Sequence, residues 1–395
     1  MALPGMKSTG DFAADEHPKS WREGILKLLP RNSAKLYALT AAMKSEKVNY
    51  PQFYWWEEPM FLYTFTTGEA LDNSETEVTL AAGAQGKRLK EGDVLKIAET
   101  GEHIRVTSIV SDTSINVTRA FGDAATAAGT AAAAATAGVL IYIGSAYREG
   151  ADKAIGVSTS PTKQYNYTQI FRDPVEITRT AMQSTGWRTG DPFANDKARV
   201  SHKHAVGVER AFWFGDRYET TESSQPLRTT GGLLSFLPAD NSREWALNGN
   251  LTMTDLEDRL ATIFQYGSGE KLAFTSIQVI SLFSRMARIN GQFTWESGTK
   301  EYGMDVRRFM GPAGSLVLTE HPLFSHTPYL QNDVFIIDTD NIRYRHLQDT
   351  TYLKNRHGNG VDGKTDEFLT ECGLEFHHPN THYHIQGVTG VALDD

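Results

Sequence analysis

Four histidines near residue 380 have the residue type and spacing that could best support chemistry: His377, His378, His382 and His384. Imidazole nitrogens bind zinc and copper well, and three of these side chains would share one face if the two strands predicted between 366 and 388 paired. No cysteine or carboxylate stands at a recognised ligand spacing beside them, which favours the polar face of a β-hairpin that turns at Pro379 and Asn380. We therefore predict no metal site, and a zinc-binding protein is the alternative.

A second pattern, Gly358-Asn-Gly360-Val-Asp-Gly363, matches the dinucleotide-binding fingerprint letter by letter. That motif works only where a buried strand precedes it and a helix N-terminus follows it, and neither is predicted here. A loop is the better interpretation. The sequence also contains no Walker-type phosphate loop, nucleophile elbow or zinc-protease helix motif, and no carboxylate pair is singled out by its setting. We predict no catalytic residue, no cofactor and no enzymatic activity.

The residues between Arg172 and Asp216 predict the element around which the chain is organised, a long helix over Pro192–Phe214. Asp191 can cap its first turn, Pro192 suits the first helical position, and Gly215 can supply a left-handed stop. Spacings of three and four place one set of residues on a single buried face: Ala194, Ala198, Ser201, Ala205, Val208 and Phe212. The helix is a rod of about 35 Å along which sheets can pack.

Composition limits the classes of function. The chain has 395 residues, enough for two or three domains, and its hydrophobic content of 40% is sufficient for real cores. A formal net charge of -9 argues against a general binder of nucleic acid or anionic membranes. The single cysteine, Cys372, excludes an internal disulfide framework. We find no signal peptide, and the Ala-rich stretch 124–143 is too weakly apolar to span a membrane, so we expect a soluble protein.

Residues 1–32 predict an extended arm, because glycine and proline interrupt every possible element while apolar side chains remain. A helix is predicted from Ser33 to about Lys47. The following segment, from Tyr50 to Tyr63, is dense in aromatic residues. Such a segment can stack on sugars or bases, but aromatics are more commonly buried in a core or a subunit interface, and this is the interpretation that we favour.

Residues 67–150 have a different sequence pattern, in which short β-branched runs are separated by turn residues. This spacing predicts a small all-β domain at the tip of two extended flanks, with the low-complexity segment 124–138 as a mobile loop. Residues 229–345 predict a mixed α/β body that includes a helix at 255–266 capped by Thr254. Two strands follow between 366 and 388. The predicted fold class is α+β.

Several stretches of the chain resemble one protein family. They are Tyr165-Asn-Tyr-Thr-Gln-Ile-Phe-Arg-Asp-Pro-Val-Glu-Ile-Thr, Gly190-Asp-Pro-Phe, Glu209-Arg-Ala-Phe-Trp-Phe-Gly, Ile115-Asn-Val-Thr-Arg-Ala and Arg148-Glu-Gly-Ala. These residues are similar to the SU-ten-like family of major head proteins of tailed phages, over most of residues 31–390 and most strongly from about 100 to 240. The resemblance implies the major capsid fold of tailed phages and herpesviruses, with an N-terminal arm, an extended loop, a spine helix in a peripheral domain, and an axial domain.

The resemblance also implies an assignment of domains. These are an N-terminal arm (1–32), a first helix and the first strand of the extended loop (33–66), an inserted β-rich domain at the loop tip (67–150), the return strand and spine helix of the peripheral domain (151–228), an axial domain (229–345), and C-terminal strands that return to the peripheral domain (346–395). The inserted domain is a departure from the simplest members of the family. The protein would be a structural virion component, assembled in the host cytoplasm into hexamers and pentamers of an icosahedral shell around packaged double-stranded DNA.

Candidate contacts between subunits are the apolar residues of the arm and the aromatic segment: Trp21, Ile25, Leu28, Leu29, Phe53, Tyr54, Trp55, Trp56, Phe61 and Tyr63. The expected partners are other copies of the chain, a portal protein and separate scaffold or decoration proteins, while DNA is contacted weakly and membranes not at all. We expect no built-in scaffold segment before Ser33. The remaining alternative is a carbohydrate-binding or peptidoglycan-directed virion protein that uses Trp55 and its neighbours as a sugar platform.

Overall fold

A computed structural model of the chain describes residues 45–58, 64–81, 85–134, 138–152, 156–157, 161–184, 191–238, 242–290, 296–301, 304–311 and 313–392. The chain divides into two compact units. Residues 55–164 form one, here called the middle unit, and the parts on either side form the other, here called the main unit. The predicted arm and six candidate contacts lie outside the described residues: Trp21, Ile25, Leu28, Leu29, Phe61 and Tyr63.

The strands are β1 (Ser45–Lys47), β2 (Gln52–Glu57), β3 (Thr64–Thr66), β4 (Glu77–Thr79), β5 (Asp93–Ile97), β6 (His103–Ile109), β7 (Ser114–Thr118), β8 (Val139–Ser145), β9 (Thr162–Tyr167), β10 (Gln169–Thr178), β11 (Tyr218–Glu222), β12 (Gln225–Thr229), β13 (Glu244–Leu251), β14 (Glu270–Thr275), β15 (Glu296–Glu301), β16 (Met304–Gly311), β17 (Gly314–Glu320), β18 (Val334–Ile337), β19 (Ile342–Leu353), β20 (Gly363–Phe376) and β21 (Tyr383–Val391). The helices are α1 (Arg179–Gln183), α2 (Pro192–Phe214), α3 (Leu233–Phe236), α4 (Met253–Ile263), α5 (Ile277–Asn290) and α6 (Pro322–His326). In the part of the chain that the structure describes, no helix is both long and apolar enough to cross a membrane.

The predicted first helix does not reach its expected end at Lys47. The described residues of that stretch, Ser45–Lys47, form β1, which pairs in parallel with β19. Backbone pairing with a distant strand has overridden the local helical pattern at this position, as tertiary context often does.

The middle unit consists mainly of a six-stranded antiparallel sheet in the order β3-β8-β5-β6-β7-β4. Every second side chain of a strand points to the same face, so the alternating aliphatic residues of these strands build one core. That core contains Leu95, Ile104, Val106, Ile115 and Leu140, which are fully or almost fully buried. Among the described residues of this unit the only helical segments are two short 3₁₀ turns.

The low-complexity segment 124–138, predicted as a mobile loop, makes specific contacts at several described positions, although most of those positions are exposed or half-buried. Ala134 is buried and exchanges two backbone hydrogen bonds with Leu71. The carboxylate of Glu102 accepts a hydrogen bond from the amide of Ala132 at 3.1 Å. A side chain at Gly129 would collide with the carbonyl of Asp123. Small residues are therefore required by close backbone packing, which composition alone does not distinguish from flexibility.

The main unit contains two larger sheets. One has four strands in the order β1-β19-β20-β10, and the other has seven in the order β13-β21-β18-β14-β17-β16-β15. In addition, β2 pairs with β9, and β11 with β12, in two-stranded ribbons. One core joins the C-terminal half of α2 to both sheets through Phe212, Trp213, Phe274, Tyr344 and Phe376. A second core packs α4 and α5 against the seven-stranded sheet.

Helix α2 has the predicted bounds and the predicted cap, since Asp191 Oδ1 accepts the amide of Phe193 at 3.0 Å. Its buried residues are His204, Val208, Glu209, Phe212 and Trp213. The rest of the predicted buried face is open, with Ala194, Ala198 and Ser201 exposed and Ala205 half-buried. The prediction that this face is buried along its whole length is therefore wrong for the single chain.

The neighbouring sheet lies against a different stripe of α2. Lys197 Nζ sits 3.8 Å from the centroid of the Tyr352 ring, and Lys364 Nζ sits 4.3 Å from that of Phe193. A lysine stem can cover apolar surface while its ammonium group stays near water or an aromatic face. Spacing of small residues could not identify this arrangement, because it assigns lysines to the solvent side.

Gly215 ends α2 without the left-handed conformation that was predicted, since its φ is -60° and its ψ is 147°. A glycine is needed for another reason. A Cβ atom at this position would collide with the backbone carbonyls of Thr230 and Ala211. The residue thus permits a close approach between the helix end and the turn that precedes α3.

The cap of α4 lies two residues before the predicted Thr254. The hydroxyl of Thr252 accepts the amide of Asp255 at 3.2 Å and donates to the Asp255 carboxylate at 2.8 Å. This arrangement lets Met253 become a buried helical residue directly after the strand that ends at Leu251. The helix therefore starts as soon as the strand leaves the sheet.

The predicted hairpin of the two C-terminal strands is wrong. Strand β20 lies between β19 and β10, whereas β21 lies between β13 and β18 in the other large sheet. Leu374 and Phe376 of β20 belong to the core beneath α2, while Tyr383 and Ile385 of β21 belong to the core beneath α4 and α5. The two strands fill different cores, so they cannot pair with each other.

Candidate functional site

Strand β2 carries the described part of the aromatic segment, and its side chains alternate between two environments. Phe53 and Trp55 are 7% and 6% exposed, whereas Tyr54 and Trp56 are 44% and 65% exposed. Trp55 also donates its indole N–H to Glu57 at 2.9 Å, and the burial of its ring leaves little surface on which a sugar could stack. Of the four described candidate contacts, only Tyr54 and Trp56 present their rings to another molecule.

Tyr54 begins a ladder of rings in the main unit. Its ring centroid lies 6.2 Å from that of Tyr165, which in turn lies 5.6 Å edge-on from Tyr167. The guanidinium of Arg217 covers Tyr165 at 4.1 Å and donates to the Tyr165 carbonyl at 2.9 Å. Cation–π and aromatic contacts of this kind hold rings in place at the surface, so the exposed ring of Tyr54 is presented by a rigid support.

Asn166, between the two tyrosines of the Tyr165-Asn-Tyr motif, has a structural role. It is fully buried. Its amide nitrogen donates to the carbonyls of Leu374 at 2.6 Å and Gly231 at 3.0 Å, and its oxygen accepts the amide of Gly231 at 2.8 Å. A buried amide group satisfied in this way ties β9 to β20 and to the turn after β12.

Asp173, in the same stretch of sequence as Tyr165, helps to anchor α2 to the four-stranded sheet. His204, buried on the helix, bonds the carboxylate of Asp173 at 2.9 Å and the hydroxyl of Thr370 at 2.8 Å. Partial burial of Asp173 raises its pKa, but hydrogen bonds and charge from Lys203 and His204 outweigh this effect and hold the pKa below its usual value. The sequence pattern did not mark His204 as an anchor, because His202 and His204 stand two residues apart and so point to different sides of the helix, which only excludes a shared metal ion.

A buried polar cluster lies at the C-terminal end of α2. Trp213 Nε1 donates to Glu209 Oε1 at 2.8 Å, and His321 Nε2 bonds the same oxygen at 2.7 Å. His321 Nδ1 accepts the amide of Leu323, which leaves Nε2 as the protonated nitrogen. All three side chains are fully buried. The cluster fixes how the helix end meets the seven-stranded sheet.

The C-terminal histidines do not converge on one point. His382 Nδ1 accepts the amide of Asp338, while His384 Nδ1 lies 2.8 Å from Glu244 and its ring stacks on Phe335. Burial lowers the pKa of His382 to about 3. Among the residues that the structure describes, no three His, Cys, Asp or Glu side chains are arranged to hold a metal ion.

Lys271 is a buried cation that the sequence analysis did not identify. Its ammonium group donates to the carbonyls of Ile263, Tyr266 and Thr381 at 2.6 to 2.8 Å. Burial lowers its pKa to about 8. Two of the three acceptors lie at the C-terminal end of α4, where carbonyls lack helical partners and the helix dipole favours a positive charge. Lys271 therefore caps α4 and joins it to the segment before β21.

An open cavity of about 610 Å³ lies in the middle unit. Its charged lining residues are Glu91, Arg105, Arg148 and Asp152. Two carboxylates and two guanidinium groups balance one another, so the cavity favours neither an anion nor a cation.

Comparison with known proteins agrees with the fold. The model of the family described as SU10 major capsid protein matches residues 8–389. A major capsid protein of Pseudomonas phage PaMx41 is 24% identical over 386 residues, which cover 91% of this chain and 90% of that protein. The capsid of the native GTA particle superposes with a TM-score of 0.51 at 8% identity, and the match covers 98% of this chain and 100% of that one.

The structural likeness concerns the fold alone, and it confirms the expected α+β major capsid fold. The family match is independent of it and spans nearly the whole chain, including the motifs around Tyr165, Asp191 and Glu209. The suspected relationship to phage major head proteins is thereby confirmed. The chain belongs to the SU10 major capsid protein family.

Proposed function

We propose that this protein is the shell-forming subunit of a phage capsid, which associates with copies of itself into hexamers and pentamers of an icosahedral shell around double-stranded DNA. Family membership and the capsid fold support this function. The buried clusters support a structural role as well, because each of them joins different secondary-structure elements.

The observation that carries the proposal is the outward face of β2. Tyr54 and Trp56 lie two residues apart and are both exposed, and Tyr50 just before the strand is exposed as well. Burial of such a ring stabilises an interface by about 1.5–3 kcal/mol, and aromatics are enriched in interfaces relative to the rest of a protein surface. In the assembled shell these rings are covered by a neighbouring subunit.

Small exposed residues on α2 fit the same function. Ala194, Ala198 and Ser201 lie on an open face of the helix. In the proposed shell, α2 is the spine of the peripheral domain and residues 229–345 form the axial domain, while the middle unit takes the place of the extended-loop tip. The arm of residues 1–32 and the candidate contacts Phe61 and Tyr63 extend the contact to neighbouring subunits.

The proposed partners follow from a shell built on one sequence. A portal protein occupies one vertex, any scaffold or decoration protein is a separate chain, and the shell contacts packaged DNA only weakly. The formal net charge of -9 is compatible with weak contact, because tight binding of phosphates requires clustered basic side chains. The protein functions in the virion and not as an enzyme.

Electron microscopy of the purified protein across a range of salt tests the proposal. Shells, tubes or capsomer rings are the expected result. Tyr54→Ser combined with Trp56→Ser should reduce the assembled fraction by about tenfold or more, because each lost ring forfeits more than 1 kcal/mol at every contact. The control Val110→Ser removes an exposed apolar side chain from a turn of the middle unit and should assemble normally.

One outcome contradicts the proposal. It is a monodisperse monomer or dimer in every salt, both when the protein is expressed alone and when it is co-expressed with the neighbouring phage genes. Unchanged assembly of the double variant would contradict the specific role of the β2 face, while the shell-forming function itself would stand.

A further inference from the structure

The hairpin of β11 and β12 projects from the main unit as a two-stranded ribbon. Tyr218 pairs with Thr229, Thr220 with Leu227, and Glu222 with Gln225. Paired residues share a face, so Tyr218 and Leu227 lie diagonally on one side of the ribbon and the Glu219–Arg228 pair lies on the other. Most residues of the hairpin are exposed.

The polar and the apolar face of the hairpin have different surroundings. The ion pair of Glu219 and Arg228, at 2.7 Å, lies near the base of one face, where these two side chains are 37% and 21% exposed, while Thr221 and Pro226 nearer the tip of that face are exposed. Glu219 also hydrogen-bonds Tyr167, so this polar face is turned toward the chain's own body. Tyr218 and Leu227 on the opposite face are 59% and 47% exposed. A ribbon that served only its own chain would turn its apolar side inward, as amphipathic strands do.

The base of the hairpin is held firmly. Arg217, the residue before β11, stacks on Tyr165 and donates to its carbonyl, and Thr229 donates its hydroxyl to the carbonyl of Asp216 at 2.7 Å. At the tip, Ser223 and Ser224 both have positive φ values, as a tight hairpin turn requires. A two-stranded hairpin is only marginally stable in water unless something packs on it. This hairpin is therefore positioned from its base while its apolar face stays uncovered.

We propose that the face formed by Tyr218 and Leu227 docks on a second copy of this chain. The inference rests on the proposed shell function and adds a contact to it. Two side chains bury far less than the roughly 1,200 Å² of a stable binary complex, so this face cannot capture a free partner by itself. A contact of this size becomes effective when many identical subunits bind at once, which is the situation in a shell.

Thiol labelling tests the proposal directly on the full chain. The natural sequence has one cysteine, Cys372, which is fully buried, so a cysteine introduced by Leu227→Cys is the reactive thiol. Its rate of labelling by a maleimide should fall by about tenfold or more when free subunits assemble, because thiol reactivity follows exposure. Val110→Cys in the middle unit supplies a second exposed position outside the hairpin, and wild-type protein reports any reaction of Cys372.

Assembly of a second variant gives an independent measurement. Tyr218→Ser combined with Leu227→Ser should leave the free subunit folded and lower the assembled fraction by about tenfold. The matched control, Ile109→Ser with Val110→Ser, removes two exposed apolar side chains elsewhere and should assemble as the wild type does.

The outcomes separate this inference from the function on which it rests. Shells that form while the thiol at 227 stays as reactive as in free subunits would overturn the docking of the hairpin and leave the shell function intact. The absence of self-association by the wild type under every condition would overturn both.

Discussion

Replacement of Glu102 by glutamine should loosen one part of the middle unit and leave the rest folded. The two carboxylate oxygens of Glu102 accept four hydrogen bonds: Nε and Nη2 of Arg119, both at 2.8 Å, and the amides of Ala120 and Ala132 at 2.9 and 3.1 Å. Arg119 extends the network to the carbonyls of Asp72 and Glu75. Burial alone would raise the pKa of Glu102, but the bonds from Arg119 and the two amides hold it below its usual value.

The expected cost follows from this geometry. A glutamine has the same shape but offers one oxygen, so its NH₂ group must face two of the four donors. Each buried donor left without an acceptor costs about 1–3 kcal/mol, and the loss of one partner from a buried ion pair costs about 3–5 kcal/mol in total. The Glu102 side chain is fully buried and that of Arg119 nearly so, which places this pair among the buried ones. We expect a loss of about 3–5 kcal/mol.

Hydrogen exchange measured on peptides that cover residues 118–134 is the suitable assay, because the amides of Ala120 and Ala132 donate hydrogen bonds to the Glu102 carboxylate. A loss of 3 kcal/mol should accelerate their exchange by about a hundredfold. The control Glu91→Gln changes an exposed carboxylate of the same unit and should alter stability by less than about 0.5 kcal/mol. Exchange in the Glu102→Gln peptide within tenfold of the wild type would refute the reasoning.

Three further predictions concern the main unit. Burial lowers the pKa of His382 from 6.5 to about 3, so below pH 6.5 the unfolded chain binds a proton that the folded chain does not. The free energy of unfolding should therefore fall by about 1.4 kcal/mol per pH unit from 6.5 toward 3. The variant His382→Asn keeps an acceptor near the Nδ1 position but does not titrate. Urea titrations of this variant should therefore lack this part of the pH dependence. Lys271→Met leaves three buried carbonyls without their donor and should lower the free energy of unfolding by about 3 kcal/mol or more in a urea titration, so a change below 1 kcal/mol would contradict the capping role. Gly215→Ala should lower the free energy of unfolding by about 1–3 kcal/mol in a urea titration, because its Cβ collides with two carbonyls. Gly207→Ala, which has open space at its Cβ inside α2, should raise the free energy of unfolding by about 0.5–1 kcal/mol in the same titration.

Elements with strong local signals could be predicted from the sequence. The bounds of α2 agree with prediction because Asp191 and Pro192 mark its start by side-chain chemistry and Gly215 marks its end, although not through the predicted left-handed conformation. The strands of the middle unit were likewise predictable as β-branched runs between turns, whereas their order in the sheet was not, because among the described strands of that sheet only β5–β6 and β6–β7 pair as sequence neighbours. The family could be suspected from the Tyr165 and Glu209 motifs.

Features that depend on distant partners could not be predicted. The C-terminal strands looked like a hairpin by proximity, but each is placed by a core assembled from other parts of the chain. Burial of the α2 face depends on where the sheet lies, and no local pattern contains that information. Lys271 reads as a surface residue by type, because the carbonyls that satisfy it come from α4 and from Thr381, 110 residues away. The apolar face of the β11–β12 hairpin could not be predicted either, because which side chains share a face depends on the register in which the two strands pair.

The pairing of β1 with β19 has a consequence for the order of folding during synthesis. Glu46 on β1 meets Arg345 on β19 across 299 residues, and Glu244 meets His384 on β21 across 140. The middle unit needs no residue beyond 164, so translation delivers all its strands before β19 and β21 exist. Because closing long loops is slow, the main unit completes its two large sheets last. A nascent chain therefore cannot present a finished main unit to another subunit until β19 and β21 have been synthesised, and until then the strands that pair with them keep unpaired edges.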